Sequence, residues 1–197
     1  MSSALSRSEP DAVDLALSAG VDAVLAAVAG LGAGNPVVLV DGRSGAGKSS
    51  LARRVVAAWP RPGLVQLVAL DDLYPGWDGL EAGARYAHDA VLTPHAKGVI
   101  GVWERWDWGS DTRAEAHAVD PSLPLVVEGA GLLTPASAVL GDVRVWVDSP
   151  AASRKTRGLA RDGETYRPHW QRWAAQEDRH IAAHDPAALA SIVVRVP

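Results

Sequence analysis

Cysteine is absent from the 197 residues, which excludes disulfides, thiolate nucleophiles and cysteine-held zinc. Phenylalanine is absent too, whereas tryptophan occurs 8 times, so tryptophan serves as the large aromatic of both core and binding surfaces. The 6 histidines are scattered without the spacing of a transition-metal site. There is no excess of positive charge. With 19 Lys and Arg against 23 Asp and Glu, the formal charge of -4 supplies no global field for nucleic acid. No long uninterrupted apolar run is present either. The stretch from Leu15 to Leu31 is broken by Asp22, and Glu9, Asp11 and Asp14 precede it where a secretory leader would be basic. These absences lead us to expect a cytoplasmic protein, monomeric or homo-oligomeric, whose partner is a small molecule rather than nucleic acid or membrane.

What is present suffices for one core: 48% of the residues are hydrophobic. A single domain over residues 1–197 is expected, with residues 1–10 frayed. Val13, Leu17, Val21, Val24 and Val28 recur at intervals of three and four, which predicts a covering helix weakened in its middle by Gly20. Five short apolar runs follow, at 37–40, 64–70, 125–127, 143–147 and 191–196. Most lack polar alternation, as strands buried on both faces should, and helical patterns separate them. The expected class is therefore α/β, with a parallel sheet between helices.

The segment "LVDGRSGAGKSSLARRV" carries the strongest chemical signal. Residues Gly42 to Ser49 satisfy G-x-x-x-x-G-K-[ST], with an apolar strand before and a helical pattern after. The glycines let the backbone curl so that successive N–H groups face a phosphate, and the following helix adds its positive N-terminal end. Gly42, Ser44, Gly45, Ala46, Gly47, Lys48, Ser49 and Ser50 are thus the expected nucleotide-binding positions, with Lys48 on the terminal phosphates and the Ser49 hydroxyl on Mg²⁺. No N-K-x-D segment for reading guanine is found.

In a doubly wound sheet, ligands gather beyond the carboxyl ends of the strands. The second apolar run ends in Asp71 and Asp72, and the third in Glu128. Acids delivered there can divide phosphoryl transfer between proton acceptance and Mg²⁺ positioning. Arg154, Arg157 and Arg161 then recur at three and four, on one helical side, where they can neutralise charge developed in transfer. The segment "VWERWDWG" sets Asp107 among aromatic rings, in a position to hydrogen-bond acceptor hydroxyls.

Together "DGRSGAGKSS", "LDDLYPGW", "VVEGAG" and "VDSPAASRKTRGLARD" resemble, in this order, the uridine kinase family of P-loop nucleoside and nucleotide kinases. The resemblance covers the chain from about residue 36 onward. It implies a three-layer fold with a five-stranded parallel sheet of order 2-3-1-4-5 and a small lid at about residues 150–168. It implies ATP and Mg²⁺ as cofactors and a hydroxyl as acceptor. Asp71 would be the activating acid and a neighbour of Mg²⁺, and Ser49 and Glu128 would complete the metal site. Lys48 would hold phosphate, while Arg154, Arg157 and Arg161 would occupy the catalytic arginine positions. Tyr74 completes the D-x-x-Y motif, and Trp106-Asp107 with His117 stand where the family holds its nucleoside. A uridine- or cytidine-like nucleoside is the first acceptor; a non-nucleoside alcohol such as a sugar phosphate or pantothenate-like compound, or a nucleotide-binding module with no acceptor, remains open.

Overall fold

The run Val37-Val38-Leu39-Val40 has no polar member, and it forms the central strand β1 (Val37–Gly42), all six of whose residues are buried. Side chains along a strand alternate in direction, so each face of β1 feeds a different core. Val37 and Leu39 join one apolar cluster and Val38 and Val40 another, on the opposite side of the sheet. The computed structural model describes residues 11–197, apart from the side chains of residues 162 and 164. Residues 1–10, expected to be frayed, lie outside the described residues.

The chain begins with α1 (Ala12–Ala29), passes through β1 into α2 (Lys48–Ala57) and returns to the edge strand β2 (Gln66–Ala69). A 3-10 turn at Leu70–Asp72 leads to α3 (Leu80–Ala87), which runs through a π turn into the short α4 (Thr93–Ala96). Strands β3 (Gly101–Asp107) and β4 (Thr112–Val119) follow, then β5 (Leu125–Glu128) and α5 (Pro135–Ala138). The last part comprises β6 (Val143–Asp148), α6 (Ala151–Tyr166), α7 (Trp170–His184), α8 (Pro186–Leu189) and β7 (Ile192–Arg195).

The main sheet is ordered β2-β5-β1-β6-β7, and all its pairings are parallel. Counting only these five strands, the order is the expected 2-3-1-4-5. Helices cover both faces, giving the three-layer α/β architecture. The expected runs at 37–40, 125–127 and 143–147 lie within strands, while the run at 64–70 yields a shorter strand because Leu70 already belongs to the 3-10 turn.

The antiparallel hairpin β3–β4, with its bulge between Glu104 and Trp106, is the feature that apolar runs did not announce. Its second strand, "TRAEAHAV", alternates alanine with charged or polar residues, so it lacks the β-branched signature of a strand. Pairing with β3, whose Gly101 and Trp103 are buried, holds it in place.

By length and hydropathy, α1 could cross a membrane. Here Leu17, Val21, Val24 and Val28 share one face, packed with Leu51 and Val55 of α2 and Val194 of β7. Gly20 lies on that same face, and a Cβ there would stand 2.8 Å from a Val194 methyl group. Close approach of helix to strand is thus the reason for a residue that costs the helix about 1 kcal/mol relative to alanine. Gly20→Ala is expected to forfeit that propensity gain, and Gly20→Val to destabilise by about 1–3 kcal/mol through overpacking, read from urea midpoints. A Gly20→Val protein as stable as its parent would contradict this seating of α1.

Candidate active site

The phosphate loop leaves β1 at Gly42 and enters α2 at Lys48. Gly45 and Gly47 have φ of +76° and +109°, values that an L side chain adopts only with strain. A Cβ on Gly45 would also collide with the Arg154 carbonyl. The loop is held from behind by a carboxylate outside the sequence motif. Glu177 of α7, 3% exposed, accepts the Ser44 amide at 2.6 Å and Arg43 Nε at 3.0 Å. Arg43 is further paired with Asp178 at 2.7 Å. Ala46, expected among the nucleotide-binding positions, sits wholly buried behind the loop, with its amide donating to the Arg43 carbonyl. Lys48 Nζ donates to that same carbonyl at 3.2 Å.

A second unforeseen acid fixes the start of the loop. Asp41, 1% exposed, accepts the amides of Gly42 at 2.6 Å, Gly131 at 3.0 Å and Leu133 at 2.7 Å. His180 Nε2 lies 3.2 Å from Oδ2, the oxygen that also accepts the Leu133 amide. The loop after β5 and helix α7 are thereby registered on the end of β1. The sequence signal was available: an acid closing an apolar run before the glycine-rich turn.

Pairing in the sheet brings the expected acids alongside the loop. Glu128 stands opposite both Val40 of β1 and Ala69 of β2, and Asp71 follows Ala69 by two residues. Lys48, Ser49, Asp71 and Glu128 line one cavity of about 720 Å³, which Ser44, Gly45, Gly47 and Ser50 also border. Gly42 lies deeper, pressed against the Val147 carbonyl. The Ser49 hydroxyl lies close enough to favour the ionised form of Glu128, which is 5% exposed. Burial raises the Glu128 pKa, with Lys48 opposing and Asp71 adding to the effect. One hydroxyl and two carboxylates form an oxygen donor set suited to Mg²⁺, which keeps waters and substrate phosphates as its other ligands. Among the described residues no group of three or more His, Cys, Asp or Glu is placed to hold a metal ion.

The three expected arginines divide. Arg154 is 6% exposed and outside the cavity wall, donating to the carbonyls of Ser149 at 3.1 Å and Ser44 at 3.2 Å. Arg157 borders the cavity, but its Nε donates to the Gly45 carbonyl at 3.0 Å and its fork also reaches Ser149 Oγ. Arg161, one turn further along α6, lines the cavity beside Glu128, whose carboxyl feels its charge.

Opposite the loop stands an aromatic wall. Trp77 stacks on His169 at 4.2 Å and on Tyr166 at 5.4 Å between centroids, while Trp108 leans on it at 4.8 Å. Trp173 meets Tyr74 edge-on at 4.8 Å. Trp108 Nε1 donates to the Asp71 carbonyl at 2.9 Å, tying the hairpin to the acid turn. The Tyr74 hydroxyl is spent on the Ala130 carbonyl at 2.7 Å, so this residue offers the cavity its ring. Trp77, Tyr166 and Trp173 had no place among the expected site residues. Composition hinted at them, because a protein without phenylalanine must build any aromatic pocket largely from tryptophan.

Asp107 and His117, expected to hold the acceptor, do not line the cavity. Asp107 closes the hairpin turn, accepting the Gly109 amide at 2.9 Å, as a short acid at a strand end commonly does. His117 stacks on Trp103 at 4.5 Å and stands 3.5 Å from Glu115.

A phosphate loop, two acids on adjacent strand ends and an overlying helix define, with the sheet order, a fold of the P-loop kinase type. No protein-family profile and no curated protein matches the chain. Solved structures do. A candidate uridine kinase from Bacillus stearothermophilus superposes with a TM-score of 0.66 at 18% identity, over 90% of this chain and 98% of that one. A candidate fructose transport system kinase from Silicibacter sp. TM1040 gives 0.53 at 20% identity, over 90% and 98%. The YGR205w protein gives 0.53 at 11% identity, over 95% and 94%. These likenesses establish the fold over 90% or more of the chain.

Two outcomes test the site. With its folded-state pKa above the unfolded value, Glu128 contributes stability that is complete below the unfolded pKa and lost as pH rises through the folded one. Glu128→Gln, which mimics the neutral acid, is therefore expected to raise Tm in metal-free buffer at about pH 8 and to match the parent near about pH 4. Equal melting at both would refute the buried-charge penalty. Glu177→Ala releases the Ser44 amide and is expected to weaken ATP binding about tenfold, with Glu177→Gln weaker in effect because it keeps an acceptor oxygen. Calorimetric titration showing parental affinity for both variants would remove Glu177 from loop positioning.

Proposed function

We propose that the protein is an ATP- and Mg²⁺-dependent phosphotransferase that phosphorylates a hydroxyl group of a small molecule. The observation that carries this reading is the convergence of the phosphate loop, Asp71 and Glu128 on one cavity, with room beyond Asp71 for a second substrate. The resemblance in sequence motifs and the kinase neighbours in structure support it.

Donor phosphates meet the amides of Gly47, Lys48 and Ser49 at the start of α2, where helix N–H groups lack intrahelical partners. The Lys48 ammonium neutralises their charge from inside the cavity. Mg²⁺, when bound, screens the phosphate oxygens and withdraws charge from the bridging oxygen that leaves. Ser49, Asp71 and Glu128 are the residues that would hold it. Asp71 accepts the proton of the acceptor hydroxyl as its oxygen bonds to the terminal phosphorus, and ADP departs with the electrons of the broken bond. Arg161, lining the cavity from α6, stabilises the charge spread over the transferred group, while Arg157 braces the loop through the Gly45 carbonyl. The aromatic wall shields this chemistry from water.

A base role for Asp71 predicts that Asp71→Asn keeps ATP affinity within about twofold and loses acceptor-dependent ADP release by about 100-fold or more. Turnover equal to the parent would exclude Asp71 from the mechanism. The assay runs nucleosides, with uridine as reference, beside small alcohols. Tight ATP binding with no stimulation by any of them would favour a nucleotide-binding module.

A further inference from the structure

The acceptor half of the cavity has a chemical character of its own. Its basic neighbours, Lys48, Arg53, Arg157 and Arg161, all stem from α2 and α6, on the donor side. On the far side the wall is aromatic, and its charged member is Asp72. Asp71 and Glu128 are committed to proton acceptance and metal, whereas Asp72 is not. It is half-buried, and among the described residues no hydrogen bond or ion pair reaches its carboxylate. Arg105 and His117, which act on it through charge, are both turned to Glu115, Arg105 in a two-pronged pair at 2.6 and 3.1 Å and His117 at 3.5 Å.

Trp77 offers no slot for a planar base between itself and its ring neighbours. Trp77 is in contact with His169, Tyr166 and Trp108 at 4.2, 5.4 and 4.8 Å. A ring sandwiched between two others needs about 7 Å, twice the carbon contact distance. What the wall offers is an exposed ring surface. Trp108 is 39% exposed and locked by its bond to the Asp71 carbonyl, beside Asp72. A half-buried carboxylate with no hydrogen-bonded cation, on the same cavity wall as a fixed tryptophan ring, is an environment that attracts positive nitrogen, by charge from the one and by the ring quadrupole from the other. A phosphorylated or carboxylated acceptor would meet repulsion at the same place.

We propose that the acceptor is an organic cation, an alcohol whose positively charged nitrogen lies between the Asp72 carboxylate and the Trp108 ring. Calling this ligand the acceptor rests on the phosphotransferase reading, whereas its binding does not. Choline serves as the probe, with 3,3-dimethylbutan-1-ol as its uncharged isostere and uridine as the planar comparison. In calorimetric titrations choline is expected to bind at least about tenfold more tightly than the isostere. Asp72→Asn and Trp108→Leu should each erase that preference while leaving ATP affinity unchanged. Equal affinity for choline and its isostere, no choline binding, or uridine bound more tightly than choline with Asp72→Asn indifferent would each overturn the proposal. ATP titrated into the same samples separates the two readings: a protein that prefers choline over the isostere yet binds no ATP keeps the cation site and loses the phosphotransferase assignment.

Discussion

The Asp41 carboxylate is the constraint to which the rest of the site is referred. A fully buried charge is tolerated only when its lone pairs are satisfied, and here three backbone amides and one imidazole do so. Those donors belong to the phosphate loop, the segment after β5 and helix α7. One side chain at the end of β1 therefore sets where the loop begins, where the chain turns after Glu128, and where α7 comes to rest. Each of these would otherwise drift relative to the others, since a buried unpaired amide costs about 1–3 kcal/mol and any rearrangement must supply it another partner.

From that anchor the two C-terminal helices do opposite kinds of work with adjacent residues. Their polar faces grip the loop: Arg154 and Arg157 through its carbonyls, Glu177 through the Ser44 amide. Their aromatic residues Tyr166 and Trp173 build the opposite wall. The cavity is consequently divided by charge, with basic groups and helix N-terminus on the donor side, rings and Asp72 on the acceptor side. Arginines that a helical wheel would aim at polyphosphate turn out to hold the cradle itself, because the loop's exposed carbonyls are the nearest acceptors for a buried guanidinium.

How far the sequence could be read depended on whether the relevant physics was local. The central strands β1 and β5 were legible because a strand covered on both faces is apolar over most of its length, and the loop because its glycines are needed within a few residues of Lys48 and Ser49. Hairpin β3–β4 was not, since Ala114, Ala116 and Ala118 have little intrinsic preference for a strand and are kept there by the partner strand. Asp107 illustrates the same limit in the site. An acid among tryptophans reads equally as a ligand or as a turn residue, and the Gly109 amide, two positions away, took it.

Glu177 lies 133 positions from the Ser44 amide it holds, and Trp108 lies 37 from the Asp71 carbonyl it fixes. No local pattern encodes such pairs. By itself the sequence determined the layered α/β class and the phosphate loop, because periodicity, turn chemistry and glycine's backbone freedom act over a few residues, whereas the strand order was implied by the resemblance of its motifs to a kinase family. Only the tertiary structure decided which arginines brace the loop, which cavity acid has no hydrogen bond among the described residues and which rings wall the second half of the cavity. Those outcomes depend on competition among distant groups for a limited number of hydrogen bonds and contacts, and that competition is settled only when the helices dock on the sheet.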